Sequence, residues 1–163
     1  MTFLNDLSLD RLLPELLVCC AAPRWARLVA EGRPFGDVTA LHAHSDATIA
    51  ALDWADLLPA LTAHPRIGER PVSGGREAAW SRAEQAGAAG ADASTAAALV
   101  RANVDYEQRF GHVFLICATG RSAEQMLTAA RTRLGNDPAT EQQCVRRELA
   151  AITRLRLTRL VSA

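Results

Sequence analysis

Apolar residues recur at three- and four-residue steps along most of the chain, the spacing of one face of an α-helix. Leu9, Leu12, Leu13, Leu16 and Leu17 form the first such stripe, with Ser8 ahead of them as a cap. Pro23 opens a second helix through Trp25, Leu28 and Val29, ending near Gly32 and Pro34. A third is predicted from about Asp37 to Leu52, and a fourth from Asp53 through Leu57, Leu58 and Leu61 until Pro65 stops it. Residues 66–76 hold three Gly, one Pro and four charged side chains, and read as a loop. Helices resume over Glu77–Ala89 and from about Asp92 to Phe110. Ser122 and Gln125 have the spacing of a capping box, and Asp137 before Pro138 suits the cap and first turn of a last helix. The run FGHVFLICATG at 110–120 alone has strand-like composition; an extended segment, a short helical insert and a strand all fit it. No linker or repeat divides the chain. The expectation is an all-α fold, a single domain over 1–163 built as a bundle of about eight helices.

Composition agrees. The chain has 163 residues, enough for a core without disulfide or metal staples, and 32 of them are alanine. All 18 basic residues are arginine, matched by 18 Asp plus Glu, so the net charge is zero. The absence of lysine excludes a Schiff base to a carbonyl substrate, an aldimine with pyridoxal phosphate and a P-loop lysine. Zero net charge argues against a nucleic-acid partner, which calls for a basic excess. Cys19, Cys20, Cys117 and Cys144 form no C-x-x-C pair and read as reduced thiols of a cytoplasmic protein. The apolar run Leu16–Ala22 is short and preceded by Asp6, Asp10 and Glu15, so neither a signal peptide nor a membrane partner is expected.

Among the histidines, His42 and His44 stand two apart, on different sides of a helix, without a third ligand at metal spacing. Exposed helix histidines are the expectation there, and no metal site. His64 differs because Pro65 ends its helix and projects the imidazole beside a loop where Gly68, Gly74 and Gly75 can close over a ligand; by local sequence a structural group at a helix C-terminus is the commoner role for such a histidine, and catalysis the alternative. Ser81, Glu84 and Gln85 fall at i, i+3 and i+4, placing a hydroxyl, a carboxylate and a carboxamide on one helical face. That face suits a small polar molecule or simply solvent. In the last helix, Val145, Leu149, Ile152, Leu160 and Val161 define an apolar stripe on which Arg156 also falls. An inward arginine needs a carboxylate or bound anion; the alternative is a side chain that snorkels to the surface.

The blocks A-H-P-R-I-G at 63–68, S-R-A-E-Q-A-G at 81–87 and N-V-D-Y-E-Q-R-F-G-H-V-F-L-I-C-A at 103–118, with R-L-R-L at 154–157, resemble the 2-oxo-4-hydroxy-4-carboxy-5-ureidoimidazoline (OHCU) decarboxylase family. The resemblance covers most of the chain, in order and with similar spacing. It implies an all-helical, cofactor-free carboxy-lyase at the third step of urate breakdown, releasing CO2 and (S)-allantoin, commonly as a homodimer. By position, His64 matches the catalytic histidine and Glu84 its acidic partner, with Ser81 and Gln85 as substrate-binding neighbours. Pro65 and the backbone of Phe114, Leu115, Ile116, Cys117 and Ala118 match the ligand's lining, and Arg156 matches an arginine facing the anionic ureidoimidazoline. His112 stands where other members often carry an apolar or aromatic residue, and the loop at 69–76 is short. The competing readings are a non-catalytic helical binding module and a metal-dependent hydrolase using His42, His44 and a carboxylate.

Overall fold

A computed structural model describes residues 1–69 and 75–162. Nine α-helices occur among the described residues: α1 (Thr2–Asp6), α2 (Leu9–Cys19), α3 (Pro23–Glu31), α4 (Val38–Ala51), α5 (Trp54–Ala63), α6 (Arg76–Glu84), α7 (Ala93–Phe110), α8 (Ala123–Arg133) and α9 (Pro138–Ser162). A 3-10 turn at Ala86–Ala88 follows α6. The all-α expectation holds, and the boundaries follow the local signals closely. Residues 70–74, the middle of the loop predicted at 66–76 and the home of Gly74, lie outside the described residues.

The caps explain why the helices start where they do. Asp37 accepts from the Ala40 N–H at 2.8 Å, and Asp92 from the Ser94 and Thr95 N–H groups at 2.8 and 3.0 Å. Asp137 accepts from Ala139 and Thr140, and Ser122 and Gln125 close the expected capping box. Ser8 sits at the N-cap of α2 but makes no side-chain capping bond, so apolar burial and Asp10 in the first turn carry that start instead. The five-residue α1 was not predicted. It is shorter than a periodic pattern needs to show itself, and it is anchored by the fully buried Leu4.

The chain divides into two compact units, residues 1–60 with 149–163, and residues 61–148. In the first, α3 packs on α2 and α4, and the Trp25 indole donates to the buried Ser45 hydroxyl at 3.2 Å. Leu12, Leu16, Val29, Leu41, Ile49 and Leu57 fill its core, joined by Leu149, Ile152, Leu157 and Leu160 of α9. Asn5 and Phe35 exchange two hydrogen bonds of 2.9 and 3.0 Å, closing the N-terminal turn over it.

In the second unit α7 packs along α8. Leu99, Tyr106, Met126, Leu127 and Ala130 form the core with Ile67, Phe114 and Ile116 from the irregular segments. Gly111 ends α7 in the left-handed region at φ 75°, a conformation glycine takes at little cost. The chain then runs without helix or strand through residues 112–118, so neither the short helical insert nor the strand open from sequence forms there.

Candidate active site

The site is built from the second unit upward. The His64 N–H closes a last turn on the Leu61 carbonyl at 3.2 Å, and Pro65 prevents the helix from continuing. The loop that follows is held from two sides. The Gly68 N–H donates to Gln85 Oε1 at 3.0 Å, and Gln85 Nε2 reaches the Pro65 carbonyl at 3.5 Å. From α7, Asn103 Nδ2 donates to the Ile67 carbonyl at 3.0 Å, and Arg66 lies in a two-pronged contact with Glu107 at 2.5 and 2.9 Å.

The helix carrying the polar triple is not a solvated face. Ser81 is 2% exposed and Glu84 7%, and the Ser81 hydroxyl donates to Glu77 at 3.0 Å. Helix α6 ends at Glu84, short of the predicted Ala89. Gln85 turns out of helical geometry, where its amide holds the loop after His64, and the chain tightens into the 3-10 turn. Gly87 permits that turn to pass against Arg121 and Ser122: a Cβ there would lie 2.0 Å from the Arg121 carbonyl oxygen.

The segment from Phe114 to Ala118 is buried except for the half-buried Cys117. Arg133 donates to the Leu115 carbonyl at 2.7 Å, Glu148 accepts from the Cys117 N–H at 2.8 Å, and Arg121 Nε donates to the Cys117 carbonyl at 3.2 Å. Burial pushes the Cys117 thiol pKa up, and the carboxylates of Glu148 and Glu84 add to that shift. Arg133 is itself paired with the 1% exposed Glu141 through Nε at 2.8 Å, and Glu141 also takes the Tyr106 hydroxyl and Asn136 Nδ2. The Arg133 guanidinium lies 4.8 Å from the Phe114 ring centroid.

His112 joins this aromatic group, edge-on to Tyr106 at 5.5 Å and stacked on Phe110 at 6.2 Å, and burial lowers its pKa. The imidazole packs there as an aromatic ring does.

The structure thus gathers His64, Pro65, Ser81, Glu84, Gln85 and the 114–118 segment in one unit. Arg156 belongs to the other, where it is 2% exposed, which settles its inward orientation against snorkelling. Its charge acts on the Cys20 thiol, whose pKa burial pushes up to about 12. His42 and His44 are half-buried, a correction to the expected exposed pair. His42 Nε2 lies 3.2 Å from the Thr158 hydroxyl and His44 Nε2 3.1 Å from the Leu28 carbonyl, each turned to a different helix. A cleft of about 400 Å3 in that unit, lined by Arg24, Leu28, His44, Thr48 and Asp56 among others, includes none of the predicted site residues.

Sequence reasoning missed Asn103, Arg121, Arg133, Glu141 and Glu148. For two of them a signal existed. Glu141 falls four residues before Val145 on the apolar stripe of α9, and Arg133 three after Ala130 on that of α8, the same anomaly that singled out Arg156.

Comparison with known proteins follows the same line. The fold matches a crystal structure of OHCU decarboxylase in the presence of (S)-allantoin with a TM-score of 0.79 and 29% identity, covering 91% of this chain and 98% of that one. The class is therefore that of all-α proteins with the OHCU decarboxylase fold. A sequence model described as OHCU decarboxylase matches residues 5–158. The OHCU decarboxylase of Amia calva is 38% identical over 141 residues, 85% of this chain and 81% of its own length. That of Mus musculus is 31% identical over 86% of this chain and 80% of its own. This chain belongs to the OHCU decarboxylase family.

Proposed function

We propose that this chain, a carboxy-lyase, converts OHCU to (S)-allantoin and CO2 with His64 as its proton-handling group. The substrate carries its carboxylate on a carbon that bears a hydroxyl and adjoins a ring C=N. When the C–C bond to the carboxylate breaks, the electron pair moves into that C=N, so the substrate is its own electron sink and no lysine is needed. The ring nitrogen that receives the pair takes a proton from solvent, and the resulting enol becomes the ring carbonyl as its hydroxyl proton leaves and the neighbouring carbon takes a proton on one face. His64 would accept the hydroxyl proton and deliver one to that face, with Glu84 orienting the imidazole or holding its protonated form. Ser81 and Gln85 would meet the ureido and ring amide groups, and the 114–118 backbone the flat ring edge.

The observation that carries this reading is the Gln85 bridge. By bonding both the Pro65 carbonyl and the Gly68 N–H, Gln85 ties the loop that displays His64 to the helix end that presents Glu84. The resemblance also gives Arg156 to the substrate's negative charge. Within its own unit Arg156 is buried, 2% exposed. The family match over 5–158 supports a single functional domain. We also assign the chain as a cytoplasmic homodimer. None of its cysteines is in a disulfide, and among the described residues no helix is long and apolar enough to cross a membrane.

Uricase and hydroxyisourate hydrolase generate the labile substrate in the cuvette, and circular dichroism follows (S)-allantoin. Purified protein is expected to accelerate that signal over the spontaneous background, and no acceleration overturns the assignment. His64→Ala is expected to lose roughly a hundredfold or more in kcat; full activity in that variant removes the proton-transfer role.

A further inference from the structure

The 114–118 segment is pinned along one edge. The Leu115 carbonyl is taken by Arg133 at 2.7 Å; two residues on, the Cys117 N–H is taken by Glu148 at 2.8 Å and its carbonyl by Arg121 at 3.2 Å. A trans peptide turns its N–H and C=O to opposite sides, so the Ile116 N–H faces away from the pinned Leu115 carbonyl and the Ile116 carbonyl away from the pinned Cys117 N–H. Ile116, between the pinned pair, is 3% exposed, and its N–H and C=O make no hydrogen bond among the described residues. A donor and acceptor side by side on buried backbone need a polar partner, and a cyclic amide or ureide presents the complementary pair.

We propose that Glu148 is a positioning residue for the decarboxylation: by fixing the Cys117 N–H it sets the rotation of the Ile116–Cys117 peptide and aims the Ile116 carbonyl at the ligand. The inference rests on the reading that 114–118 lines the substrate. Three features favour Glu148 in this role. An ionised acceptor holds an N–H about twice as strongly as a neutral one, which suits a segment without a strand neighbour. Glu148 lies on the long helix α9, a rigid base 31 residues away from its partner in sequence. Its carboxylate is engaged by the backbone, which places it outside the chemistry that Glu84 and His64 perform.

The test compares wild type, Glu148→Gln, which keeps an acceptor, and Glu148→Leu, which keeps the bulk without one. The coupled dichroism assay supplies kcat and KM, and the amide resonance of Cys117 supplies the local geometry. Glu148→Leu is expected to raise KM roughly tenfold, more than it changes kcat, and to shift the Cys117 amide; Glu148→Gln is expected to hold KM within about threefold of wild type. A general loss of folded protein lowers the apparent kcat and leaves KM alone. Wild-type KM with an unmoved Cys117 amide in Glu148→Leu overturns the proposal. If the leucine variant does not fold, Glu148→Asp, whose carboxylate falls short by one methylene, takes its place under the same criteria. A wild-type chain without decarboxylase activity overturns the underlying reading and this inference with it, whereas an active wild type with an indifferent Glu148→Leu removes only the role of Glu148.

Discussion

Gln85 shows how a residue matched to a substrate contact also serves the protein. Its carboxamide has one acceptor and one donor group, and the backbone at Gly68 and Pro65 engages both. Gln85→Glu keeps the acceptor for Gly68 but sets an oxygen against the Pro65 carbonyl. We expect roughly a tenfold fall in kcat with little change in melting temperature, read from the (S)-allantoin assay and a thermal scan; unchanged kcat would leave the bridge without a catalytic role. Gly87 is a second case in which one atom decides. Alanine there places a methyl against the Arg121 carbonyl, and because that neighbour is backbone it does not swing aside. Gly87→Ala is expected to cost about 1–3 kcal/mol in urea unfolding, and a neutral result would mean that the 3-10 turn relocates freely.

At the scale of elements, caps and buried charge pairs do the fixing. Asp92 accepts from two backbone N–H groups at the start of α7, and these bonds lower its pKa from 3.8 to about 2. A carboxylate depressed in the folded state stabilises it above the unfolded pKa, and that contribution disappears as the pH falls from near 4 through about 2. The melting-temperature gap between wild type and Asp92→Ala should therefore narrow steadily from pH 5 to pH 2; a constant gap contradicts the cap. Arg133 and Glu141 link α8, α9 and, through Tyr106, α7. Arg133→Met alone leaves the buried Glu141 without its guanidinium partner and is expected to cost about 3–5 kcal/mol. Adding Glu141→Leu should recover a large part of that loss, a coupling that equilibrium unfolding of the two single variants and the double measures directly. The recovered double variant is still expected to bind substrate poorly, because the Leu115 carbonyl has lost its donor.

At the scale of the whole molecule, zero net charge and the absence of lysine constrain the chemistry more than the fold. Without lysine no side-chain Schiff base can take the electron pair of decarboxylation, and in the proposed mechanism the ring C=N of OHCU takes it instead. Neutrality also leaves like-charge repulsion between copies weak. The proposed homodimer predicts a sedimentation-equilibrium mass twice the 17.5 kDa of one chain, and a mass of one chain across the working concentration range overturns it.

Helix positions, most caps and the fold class were determined by the sequence alone, because each depends on residues within a few positions of one another. A hydrophobic period of 3.6, an Asp before a helical run and a Pro after His64 act locally, and their effects survive into the structure. The family resemblance likewise lay in contiguous blocks and named candidate residues for test. What only the tertiary structure decided is which groups meet: Gln85 with a loop 17 residues earlier, Leu115 with Arg133 18 residues later, Cys117 with Glu148 at a separation of 31. No local pattern encodes those pairings. They arise when apolar faces pack and the polar groups carried inward must find partners, and that requirement turned Glu141, Arg133 and Glu148 from ordinary charged residues of helical stretches into the frame of the site.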